Sequence, residues 1–114
     1  AGVSWGAAGD KDAGRVVGLK LKSRGLTGEV PAALGMLTAL KRLDLNGNRL
    51  TGVPAEIGAL AALTRCDLGG NLLTSVPPEL GAITALTKLY LGGNPGLTSV
   101  PPELERLTAG RKGD

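Results

Sequence analysis

The sequence predicts an α/β solenoid of about four short repeats, with a parallel sheet on one face and short helical turns on the other. Two observations dictate this. A nine-residue stretch recurs as LKRLDLNGN from Leu40, LTRCDLGGN from Leu63 and LTKLYLGGN from Leu86, an interval of 23 residues. A second block follows each copy: LTGVPAEIGAL from Leu50, LTSVPPELGAI from Leu73 and LTSVPPELERL from Leu97. Self-similarity at this interval means that each unit is one supersecondary element, too small to bury its own apolar face, so that stacking on its neighbours supplies the core.

Taken in order, residues 1–15 form an N-terminal flank or cap, rich in glycine and charge and carrying Trp5; that composition does not fit a secretory leader. An earlier copy of the pattern, VVGLKLKSRGLTGEVPAALGML from Val16 to Leu37, opens the repeats, with Val16, Leu19 and Leu21 in the apolar slots and Arg24 where later copies have asparagine. The units are then 16–39, 40–62, 63–85 and 86–107, followed by a tail, 108–114. Glu29 is an extra residue in the first unit and Pro95-Gly96 adds one in the last. Such insertions are expected in the turns after the strands.

Within each unit, the alternation around Leu43-Asp44-Leu45 reads as a short strand whose leucines face the core. Asn48, Asn71 and Asn94 follow the strands, where an amide side chain satisfies turn backbone, and a structural asparagine ladder is expected. Blocks starting at Pro54, Pro77 and Pro101 read as short helical turns, with Glu56, Glu79 and Glu103 near their positive ends. Ile57, Leu60, Leu80, Ile83, Leu104 and Leu107, at spacing three, then point inward.

These motifs resemble the leucine-rich repeat family over roughly Val16 to Leu107. LTGEVP in the first unit is similar to the plant-type repeat of receptor-kinase ectodomains and secreted inhibitors. The LTSVPPEL units are more similar to repeats of Ras-group scaffolds and of bacterial and protist arrays. The resemblance implies recognition of a protein or peptide through a concave sheet face. Plant-type extracellular arrays begin with a cysteine pair in the cap, which this flank lacks, and no Asn-x-Ser/Thr acceptor occurs. Those departures favour an intracellular location.

Residue inventory argues against catalysis. Histidine is absent, and the single cysteine, Cys66, stands in the slot filled by Leu43 and Leu89, so it reads as core. The acid pairs Asp10/Asp12 and Asp44/Asp67 have no catalytic setting, and the LGGN segments lack the lysine of a phosphate loop. No enzyme activity, metal or cofactor is expected, and no stretch reaches the length of a membrane span.

The strand positions that alternate with the core leucines are Gly18, Lys20 and Lys22; Arg42, Asp44 and Asn46; Arg65, Asp67 and Gly69; and Lys88, Tyr90 and Gly92. Arg42, Arg65 and Lys88 fall in one row, which suits an acidic partner. Asp44 and Asp67 are the next row, and ion pairing within the face is the competing expectation. Tyr90, beside Gly69 and Gly92 as open positions, is a candidate anchor. The net charge of +3 is modest and no aromatic platform accompanies it, which argues against nucleic acid. Two further readings stand beside concave-face recognition: an ectodomain fragment of a plant-type receptor kinase, and an architectural array that self-associates through its C-terminal edge.

Overall fold

The computed structural model describes residues 2–6 and 14–108. The Asp10/Asp12 pair, residues 109–114 of the tail and the other flank residues outside those ranges are not described.

The chain runs through β1 (Val3–Trp5), β2 (Val16–Lys20), β3 (Thr27–Glu29), the 3-10 turn η1 (Ala32–Met36), β4 (Arg42–Asp44), β5 (Arg49–Gly52), η2 (Ala55–Ala59), β6 (Arg65–Asp67), η3 (Pro78–Ala82), β7 (Lys88–Tyr90), η4 (Pro102–Leu104) and α1 (Glu105–Thr108). Strands β2, β4, β6 and β7 form a parallel sheet, one strand per repeat. In β4, β6 and β7 the central residue faces the core and the first faces solvent: Leu43, Cys66 and Leu89 are buried, whereas Arg42, Arg65 and Lys88 are exposed. The ladder continues past the strands. Leu45 N–H donates to Asp67 C=O at 2.9 Å and Leu68 N–H to Tyr90 C=O at 2.8 Å.

The opposite side repeats one solution at Pro31, Pro54, Pro77 and Pro101, each of which accepts the N–H three residues on. Pro54, in extended conformation, offers its carbonyl to Ile57 N–H at 3.1 Å, and Leu60 N–H then donates to Ile57 C=O at 3.1 Å. This is i→i+3 bonding, which suits a connector of a single turn. Leu40, Leu60, Leu63, Leu68, Leu73, Leu80, Leu86 and Leu104 are fully buried between the two faces. The turns pack on one another through glycine: a Cβ at Gly81 would lie 2.6 Å from the Glu103 carbonyl oxygen, and one at Gly35 would lie 2.5 Å from that of Glu56.

Three features depart from the sequence expectations. Glu29, the extra residue of the first unit, lies in a strand and not in a turn: β3 pairs with β5 in a second, two-stranded parallel sheet, with a register irregularity between Gly28 and Glu29. β1 lies antiparallel to β2, pairing Val3 with Leu19 and Ser4 with Gly18, so the N-terminal edge of the main sheet is covered. At the other end, Arg106 turns back toward the stack, donating to the carbonyls of Leu86 at 2.7 Å and Ile83 at 2.8 Å.

Candidate functional site

Register fixes the rows of the sheet face. Gly18, Arg42, Arg65 and Lys88 are successive partners; so are Lys20, Asp44, Asp67 and Tyr90. Neighbouring members of a row are therefore one strand spacing apart, about 4.8 Å. Lys22 and Asn46 continue the face beyond the strand ends.

The asparagines behind this face hold its turns rigid. Asn48 Oδ1 accepts the N–H groups of Arg24 and Leu26 at 2.9 and 3.0 Å, and its Nδ2 donates to the carbonyls of Leu21 and Leu45, both at 2.9 Å. Asn94 accepts from Leu73 N–H at 3.0 Å and donates to Leu68 and Leu91. Each amide thus reaches back to the preceding repeat. Arg24, in the first repeat, instead presents its N–H to Asn48. Gly47, Gly70 and Gly93, at φ +74, +65 and +77, make the tight turn just before each asparagine, and Ser23 takes the same left-handed conformation at φ 56.

Asp44 and Asp67 correct the ion-pairing expectation. Asp44 Oδ1 accepts Asn46 N–H at 3.1 Å; Asp67 Oδ1 accepts Gly69 N–H at 3.0 Å and Asn46 Nδ2–H at 3.1 Å. Their hydrogen bonds run to the turn and not to guanidinium groups, because a backbone N–H two residues on is already within reach of the short carboxylate. Arg65 has a different neighbour. Its guanidinium carbon is 5.4 Å from the Tyr90 ring centre. Gly69 is also corrected: it is buried, and a Cβ there would lie 2.9 Å from Asn46 Nδ2, so it is not an open position. Lys20, Arg42, Leu43, Asp44 and Arg65 line a hollow of about 200 Å³ in this face.

Elsewhere, Trp5 and Met36 are exposed and line a hollow of about 250 Å³ at the outer side of the first repeat. The composition had marked Trp5 only as part of a cap. Cys66 is buried, and burial pushes its thiol from 9.0 up to about 12, with the Asp67 and Asp44 carboxylates adding to the shift. A thiol so held stays protonated and is no nucleophile. Among the described residues, no group of His, Cys, Asp or Glu side chains could hold a metal ion, and no helix is long and apolar enough to cross a membrane.

The sequence from residue 38 to 95, just over half of the chain, matches the leucine rich repeat family. The chain belongs to that family. Solved structures agree with this leucine-rich repeat assignment. The BIR2 ectodomain from Arabidopsis thaliana superposes with a TM-score of 0.74 at 32% identity, over 93% of this chain and 57% of that one. The BIR3–SERK2 complex from the same organism gives 0.75 at 34% identity, over 93% and 56%. The ectodomain of the receptor kinase SOBIR1, also from Arabidopsis thaliana, gives 0.72 at 27% identity, over 94% and 61%. This leucine-rich repeat chain therefore spans a little over half the length of each. Comparison with curated proteins finds no significant match.

Proposed function

We propose that this leucine-rich repeat module is a non-catalytic recognition unit that binds a protein or peptide partner across its concave sheet face. The observation that carries the reading is the in-register row Arg42, Arg65, Lys88, beside which the next row begins with Lys20 on the first strand and ends with Tyr90 on the last. Repeat stacking holds these side chains at fixed spacing on a rigid sheet. The backbone that carries them therefore needs no ordering on binding, and only the side-chain rotamers remain to be fixed. Asp44, Asn46 and Asp67 complete the face and supply hydrogen-bond acceptors and a donor amide between the cations. The BIR3–SERK2 structure supports a protein as the class of partner, since it holds a similar repeat module in a complex.

Affinity capture tests the reading. Parent protein and an Arg42→Glu/Arg65→Glu/Lys88→Glu variant, both shown to be folded, are immobilised and exposed to extract. A partner retained by the parent and lost by the variant is the expected result; equal capture by both removes the row from the reading.

A second reading is favoured by the neighbours themselves: the module is a piece of the ectodomain of a receptor of the plant type. Two of the similar structures are ectodomains, and the plant-like LTGEVP segment supplies β3 of the additional β3–β5 sheet. A membrane span and kinase motifs in the same gene would establish it.

A further inference from the structure

The recognition face carries an uneven charge, and the structure explains why that charge is available. Five cations, Lys20, Lys22, Arg42, Arg65 and Lys88, share the face with two carboxylates, Asp44 and Asp67, an excess of three positive charges. Both carboxylates use Oδ1 on their own turns or on Asn46. Among the described residues, Lys20, Arg42 and Lys88 have no side-chain partner. Three successive strands then bring Lys20, Arg42 and Arg65 to the rim of one hollow of about 200 Å³, with Asp44 among them.

We infer that this hollow takes a carboxylate side chain of an extended acidic peptide segment, with a peptide N–H of the same segment donated to Asp44. The inference rests on concave-face recognition and names the chemistry of the partner. Two guanidinium groups suit a carboxylate, whose two oxygens accept paired N–H donors. The Asp44 carboxylate decides between anions. A peptide N–H for Asp44 is common to acidic and phosphorylated segments, but a phosphoserine carries close to two negative charges where a carboxylate carries one, so Asp44 repels it more strongly. Lys88, the next member of the row, provides for a second acidic side chain on the same segment. The Tyr90 ring, against Arg65, gives that segment an apolar contact.

The test titrates the full chain, labelled with nitrogen-15, with three decapeptides: alternating Gly-Glu, its Gly-Gln counterpart and its Gly-phosphoserine counterpart. The Glu peptide is expected to shift the amides of residues 18–22, 42–46, 65–69 and 88–92. Its affinity should fall with added salt and by about tenfold in Arg42→Gln/Arg65→Gln. The Gln peptide should bind far more weakly, and the phosphoserine peptide more weakly than Glu in the parent but not in Asp44→Asn. Equal shifts of the same amides by the Gln peptide would overturn the acidic partner while leaving concave-face recognition standing. Preference of the parent for phosphoserine would overturn the choice of carboxylate. Shifts confined to the turn side would overturn both the inference and the face, and no shift with any peptide would overturn the inference alone.

Discussion

Asn71 Oδ1 accepts the backbone N–H of Leu50 at 3.0 Å, while its Nδ2 donates to Leu45 C=O at 3.0 Å, so one side chain closes two backbone gaps in the preceding repeat. Asn71 is itself buried, and water cannot replace it. Asn71→Ala should therefore cost about 1–3 kcal/mol, the penalty for buried groups left without partners. Thr64→Ala, which loses one exposed bond to Lys41 C=O, should cost less. Urea unfolding of the two variants beside the parent makes the comparison. Equal midpoints would contradict the role given to Asn71.

Leucine position matters more than leucine number. Leu68 is fully buried and Leu72 is 49% exposed, four residues apart in the same repeat. Leu68→Ala should cost about 2–5 kcal/mol through lost transfer energy and the cavity left behind. Leu72→Ala should stay within about 0.5 kcal/mol. Thermal melts of both variants check this.

Glycine at the turns is a packing requirement. The Gly81→Ala methyl would meet the Glu103 carbonyl oxygen at 2.6 Å and Glu103 Cβ at 2.8 Å, and backbone cannot swing aside as a side-chain tip can. A loss of about 1–3 kcal/mol is expected, as for other overpacked sites. A chemical denaturation curve indistinguishable from the parent would show that the turns stack more loosely.

Cys66 gives the fold an alkaline limit. Its thiol is raised from 9.0 to about 12 in the folded chain, so between these values the unfolded state loses a proton that the folded state keeps. Stability contributed by the buried, neutral thiol is full below pH 9 and is lost as pH rises toward 12, at up to about 1.4 kcal/mol per unit. The parent should lose stability between pH 9 and 11 more steeply than Cys66→Ala. Parallel slopes would contradict the assignment, as would prompt alkylation of the native thiol at pH 8.

The repeating leucines made the main sheet, the inward faces of the turns and the concave rows legible, because a fixed interval places equivalent side chains in equivalent environments. What stayed hidden is what does not repeat. β1 is formed by flank residues with no counterpart in the later units, and its pairing with β2 depends on tertiary contact alone. Among the described residues the β3–β5 sheet is confined to the first two units, where Thr27, Gly28 and Glu29 run extended beside Arg49, Leu50 and Gly52. Arg106 occupies a position that holds Met36, Ala59 and Ala82 in the other repeats, so nothing in the period announced its bonds to Ile83 and Leu86. On the face itself, spacing placed Asp44 and Asp67 beside arginines but could not choose between a guanidinium and a turn N–H as partner. Local geometry made that choice.

Hydrogen exchange of the captured complex tests concave-face recognition most directly, because it reports which side of the sheet the partner covers. Added protection in peptides spanning 18–22, 42–46, 65–69 and 88–92, with the turns at 54–60 and 77–83 unchanged, is the expected result. Protection confined to the turns, with the strand segments exchanging as in the free chain, would contradict it.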